Sequence, residues 1–106
     1  MIRVVDVTIE RRADGFVAVK LQAPEWELNL RATAADLVTL EGIREADWAS
    51  RRSLHVGEAA GVRVHWAADG EIATVMVGHD DETWDFAAML PVASVEGIAA
   101  AARQSQ

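Results

Sequence analysis

The sequence predicts an α+β fold: two antiparallel β-meanders, one of three strands and one of four, joined by a helix and followed by a C-terminal helix, as a sandwich or a partly closed barrel. Three observations point to it. Apolar residues alternate with polar ones in the first 30 residues and again from Ser53 to Ala88, the pattern of strands buried on one face. Between these runs, and again after Pro91, the apolar spacing becomes helical. Glycine, proline and aspartate stand where the alternating runs must turn.

In chain order, Val5, Val7 and Ile9 share one face of a first strand, Val17, Val19 and Leu21 of a second, and Trp26, Leu28 and Leu30 of a third. Ala13-Asp14-Gly15 and Ala23-Pro24 supply the turns, through a glycine that tolerates positive φ and a proline that cannot extend a ladder. Setting Ile9 opposite Val19 sets Val7 opposite Leu21, so each inward residue meets an inward neighbour. Thr33 stands three residues before Asp36 as an N-cap with an acid in the first turn. Ala34, Leu37 and Val38, widened by Leu40 and Ile43, predict a helix over residues 34–46 with a weak point at Gly42.

Four more strands follow. Leu54 and Val56 alternate with His55, and Val62, Val64 and Trp66 alternate with Arg63 and His65. Asp69-Gly70 is the strongest hairpin signal, because a type I′ turn needs positive φ twice. Turning there pairs Trp66 with Ala73, Val64 with Val75 and Val62 with Val77. The next hairpin then pairs Val77 with Trp84, Val75 with Phe86 and Ala73 with Ala88. On that register Trp26, Trp66 and Trp84 all face the core. Val92, Val95, Ile98, Ala99 and Ala102 share one face of the closing helix, which Pro91 introduces. No linker or low-complexity segment interrupts the chain, so residues 1–106 read as a single domain.

Composition narrows the function classes. Cysteine is absent, which excludes disulfides, thiolate metal sites and a thiol nucleophile. Seventeen acids against ten bases leave a net charge of −7, so nucleic acid is not expected as a partner. The apolar stretches are too short to span a bilayer. Met-Ile-Arg-Val-Val-Asp does not read as a signal peptide, so a cytoplasmic protein is expected. Nine arginines to one lysine fits a high-GC bacterial source. Residues 61–106 hold seven of the acids and only two bases. This predicts an acidic surface, for solubility or for steering a basic protein partner.

Three groups of residues are candidates for function. His79-Asp80-Asp81-Glu82 is a metal half-site, an acid–base pair or a solvated hairpin loop with turn-forming aspartates. The outward face of the second meander would carry Arg63, Met76 and Asp85 in one row, and His65, Thr74 and Ala87 in another, with His55 facing Arg63. His55 and His65 then lie diagonally, about 7–8 Å apart at Cβ. That is long for shared metal ligation, and no metal is assigned. Trp48, with Arg51 and Arg52, combines residue types that either anchor interfaces or stack on each other within a fold. A glycine-rich phosphate loop, a G-x-S-x-G elbow and an H-E-x-x-H helix are all missing from the sequence. Neither catalytic residues nor a cofactor are assigned.

The run Asp47-Trp48 … Arg51-Arg52-Ser53-Leu54, an alternating strand pair, Gly78-His79-Asp80, the Trp84 strand and the helix at Val92–Ala102 resemble small uncharacterised domains of high-GC bacteria. Some of these are similar to WapI-type immunity proteins of polymorphic toxin systems. The similarity covers residues 33–102 in layout. It implies a small protein that binds another protein and offers no catalytic residues to carry over. The expectation is therefore a non-enzymatic protein-interaction domain with an acidic contact surface, on the C-terminal meander or the Trp48–Arg52 segment, able also to self-associate through its unpaired strand edges. The alternative is a small-molecule-binding or enzymatic pocket built from His55, Arg63, His65 and Asp85.

Overall fold

Alternation in the first third of the chain produces three strands: β1 (Asp6–Arg11), β2 (Phe16–Ala23) and β3 (Trp26–Thr33). A computed structural model describes residues 5–80 and 82–104. In it Ile9 pairs with Val19 and Val7 with Leu21, the register expected from matching inward residues. Leu21 then meets Leu28, and Val19 meets Leu30.

The joining segment departs from the expected helix over residues 34–46. Helix α1 covers only Ala34–Val38 and continues as a 3₁₀ segment, Thr39–Glu45. Thr33 Oγ1 accepts from the Asp36 amide at 3.1 Å, as a cap should. The change of pitch comes at Thr39 and not at Gly42. The Thr39 backbone N–H and hydroxyl both bond the Asp36 carbonyl three residues back, which tightens the turn toward 3₁₀ geometry.

The remaining strands are β4 (Leu54–Ala59), β5 (Val62–Asp69), β6 (Ile72–Gly78) and β7 (Trp84–Pro91), and α2 (Val92–Gln104) closes the described chain. The two meanders are not separate layers. All seven strands form one open antiparallel sheet in consecutive order, with β1 and β7 as its edges. The joint between meanders is the pairing of Arg31 with Glu58, beside a bulge between His55 and Glu58. Gly57 makes this joint possible. It has φ +86°, and a Cβ there would stand 2.9 Å from the Arg31 carbonyl oxygen, so the strands approach only because no side chain intervenes.

Both later hairpins sit two residues away from the expected register. The β5–β6 turn centres on Gly70 and Glu71, with Asp69 paired to Ile72, so Trp66 meets Val75 and Val64 meets Val77. Gly70 alone of this pair has positive φ, at +63°, which suits a type II′ turn where Asp69-Gly70 would have been type I′. In β6–β7, Val77 meets Phe86, Val75 meets Ala88 and Ala73 meets Leu90. A slip of two preserves the face each residue occupies, so the core survives it.

That core lies on one face of the sheet. Trp66 is fully buried, and its Nε1 donates to the Val56 carbonyl at 3.0 Å. α1 and the 3₁₀ segment bury Leu37, Leu40 and Ile43. α2 buries Val92, Val95, Ile98, Ala99 and Ala102, the five residues whose spacing predicted its inner face. Trp26 on β3 meets Phe86 on β7 edge-to-face at 5.9 Å, so the sheet curls enough to bring its two wings together. Among the described residues no helix is long and apolar enough to cross a membrane.

Candidate functional site

The second meander has a populated outer face. His65, Ala67 and Met76 are buried, yet Ala67 and Met76 stand apart from the core cluster. They form a thin second apolar layer on the side of the sheet away from the helices. The 3₁₀ turn Trp48–Ser50 packs against β5 and is tied down by backbone. Ala68 N–H bonds the Ala46 carbonyl at 2.8 Å, and Asp47 bridges to Ala68. Asp47 Oδ1 caps the turn by accepting from the Ala49 amide at 3.0 Å.

Trp84 belongs to this outer face, which corrects the expectation that it lies in the core. Phe86 pairs with Val77, but the next pair is Gly78 with Trp84, leaving Asp85 as the extra residue of a bulge. One added residue reverses the alternation. Phe86 therefore packs inward against Trp26, while Trp84 meets Trp48, with ring centroids 6.2 Å apart and planes at 77°. Gly78 is the residue that permits the bulge. A Cβ there would collide with the backbone of Thr83 and Trp84. A glycine inside a strand pattern was the available signal for it.

Arg51 completes the cluster. Its guanidinium carbon lies 5.0 Å from the Trp48 ring centroid, and Nη2 donates to Glu82 at 2.9 Å. Stacking of Trp48 with a neighbouring arginine was one of the two expected arrangements, and Arg51 provides it. The residue has φ +58°, in the left-handed region, at the C-terminus of the 3₁₀ turn. Glycine is usual there, and an L side chain costs about 1 kcal/mol or more. Arg52 is exposed and, with Arg51 and Leu54, lines a shallow depression beside Glu45.

The loop before Trp84 is the solvated hairpin expected as one reading of residues 78–82. Asp80 Oδ1 accepts from the amides of Glu82 at 2.8 Å and Thr83 at 2.7 Å. Those bonds hold its carboxyl below the usual range, the Glu82 amide contributing most. His79 is exposed, and Asp81 lies outside the described residues. Among the described residues no group of three histidine, aspartate or glutamate side chains is placed to hold a metal ion.

The histidines sit differently from the expected diagonal. His55 pairs directly with His65, and their rings lie 5.2 Å apart at 33°, because the bulge at Gly57 shifts the β4 register. His65, 8% exposed, is next to Met76 on β6 and not to Thr74. Arg63 pairs with Glu58, and Asp85 is carried off by the bulge. His55, Arg63, His65 and Asp85 therefore do not converge, and none of them lines the hollows around Phe16, Arg52 or Asp69. A hollow of about 500 Å³, open to solvent, lies instead on the outer face of β1–β3 around Phe16, Lys20 and Arg31.

Charge is less segregated in space than along the chain. Arg44 binds Glu71 at 2.7 Å and Glu96 at 2.9 Å, and Arg51 holds Glu82. Bases from the first half thus neutralise three acids of the second. Of the described acids outside these pairs, Asp80 and Asp85 stand near Trp84 in the chain, and Asp69 stands at the β5–β6 turn. Comparison with protein-family models, with curated proteins and with solved structures finds no match.

Proposed function

We propose that this chain is a protein-interaction domain without catalytic activity, whose contact surface is the outer face of β7 together with the Trp48–Arg52 segment. The observation that carries this reading is Trp84. It is 40% exposed, although ordinary strand alternation would bury it. A bulge that depends on Gly78 delivers it to the surface, where it rests on a second indole. Tryptophan and arginine on a partly apolar surface are the residue types that anchor interfaces.

The neighbourhood supports it. Met89, 63% exposed, stands further along the same strand. β7 is an edge strand of eight residues with one charged side chain, Asp85, whereas the opposite edge, β1, carries Asp6, Glu10 and Arg11. Charged edges resist pairing with other chains, and an edge with few charges resists it less. Asp80 and Asp85 give the rim a negative sign that favours a basic partner. The resemblance to immunity proteins makes that partner a basic toxin.

The test is affinity capture from a lysate of the source organism with wild type and with Trp84→Ala, followed by protection mapping of the complex. The reading expects a stoichiometric partner that Trp84→Ala fails to retain, with protection over residues 47–52 and 84–91. A partner retained equally by the variant, or one protecting the β1 edge, would overturn it.

A further inference from the structure

We infer that Trp48, Trp84 and Glu82 form a binding corner for the side-chain guanidinium of an arginine on a partner protein, and that Arg51 occupies the Trp48 side of this corner in the free protein. The inference rests on the proposed interaction surface and names the chemistry that the surface recognises.

The two indoles supply the walls. The rings are nearly perpendicular with centroids 6.2 Å apart, an arrangement that lets one cation approach both faces, and Arg51 lies over the Trp48 ring. A carboxylate stands at its open side, for Glu82 is close enough to bond the guanidinium that occupies Trp48. An aromatic face plus a carboxylate is the combination that suits guanidinium, a planar and weakly hydrated cation that stacks and donates in its plane at once. Asp85 follows Trp84 in the chain and Asp80 stands two residues before Glu82, so carboxylates adjoin the corner in sequence.

Arg51 shows which ligand fits. Its backbone is held in the left-handed region, where glycine would be unstrained, yet the residue is an arginine whose side chain reaches the corner. Side-chain exposures of 61% for Arg51 and 68% for Glu82 make this an open ion pair, and open pairs are weak and exchangeable. An arginine from a partner would make the same stacking and the same ion pair. Exchange of one guanidinium for another therefore loses no class of contact, and it releases Arg51 to solvent.

A competitor built into the fold lowers apparent affinity by the fraction of time that it vacates the site. If Arg51 is in place about four-fifths of the time, its removal tightens binding about fivefold. Arg51→Gly is the variant to use, because glycine suits the left-handed backbone. Wild type and Arg51→Gly are titrated with acetyl-arginine amide and with acetyl-lysine amide at constant ionic strength, following the indole N–H resonances of Trp48 and Trp84.

The expected result is saturable movement of both resonances by the arginine probe. Its affinity should be about fivefold higher in Arg51→Gly than in wild type and higher than for the lysine probe. Adding Trp84→Ala to Arg51→Gly should abolish the response. Equal affinity in wild type and Arg51→Gly, or no saturable response in either, would overturn the inference. Loss of probe binding with Trp84-dependent capture intact would overturn the corner alone and leave the interaction surface standing. Probe binding without capture would uphold the corner and count against the interaction reading.

Discussion

Trp84 and Phe86 lie two residues apart on β7 and face opposite sides of the sheet, Phe86 against Trp26 in the core and Trp84 against Trp48 on the surface. In a regular strand residues two apart share a face. The extra residue, Asp85, breaks that rule, and it does so where Gly78 lets the β7 backbone come close.

Gly78→Ala should therefore destabilise the fold by about 2–3 kcal/mol, since the clash is with backbone and cannot be relieved by a rotamer change. Urea unfolding measures the loss. Tryptophan emission should also shift, because re-pairing of β6 and β7 changes the exposure of Trp84.

Trp66→Phe tests the centre of the core. It removes buried volume and leaves the Val56 carbonyl without its indole donor. A loss of about 2–3 kcal/mol is expected, with no effect on probe binding at Trp48. Equilibrium denaturation and the Trp48 resonance read the two outcomes separately.

Ala60 offers a gain. With Gly61 it forms the β4–β5 turn, and both have positive φ, +51° and +83°. Asparagine tolerates that conformation better than alanine, so Ala60→Asn should stabilise by about 0.5–1 kcal/mol. Thermal unfolding of the two proteins checks it.

Acid stability depends on Arg44. Its hydrogen bonds, ahead of its charge, lower the Glu71 carboxyl below its ordinary value. A carboxylate with a depressed folded pKa stabilises fully above its unfolded value. That contribution is lost as pH falls through the folded value. The difference in Tm between wild type and Arg44→Met should thus be greatest near neutral pH and vanish under acid conditions, below both values of the carboxyl. High salt should shrink it throughout, because the pair is exposed.

Much of the fold was legible in the sequence. In β1–β3 the alternation and the turns agree, so the pairings Ile9–Val19 and Val7–Leu21 follow from matching inward residues. In β5–β7 the faces were legible and the partners were not. Asp69-Gly70 marks a turn, but Gly70-Glu71 is where the chain reverses, and a slip of two leaves every face unchanged. The joining helix was over-extended because its apolar spacing suits either pitch, and the Thr39 bonds decide between them. The site was legible in half. Trp48 and its arginine announce themselves by type, whereas Trp84 keeps the spacing of a core residue, and only the glycine at 78 hints that the spacing is broken. Pairing of His55 with His65 was hidden in the same way by the bulge at Gly57.

The central claim is that Trp84 and Trp48 are turned outward together to meet a partner. Hydroxyl-radical footprinting of the free protein and of its captured complex tests this most directly, since one spectrum reports all four tryptophans. Strong labelling of Trp84 in the free protein that falls severalfold in the complex, with Trp48 following and Trp66 unlabelled in both states, is the result expected. Equal labelling of Trp84 in the free and bound protein would contradict the account.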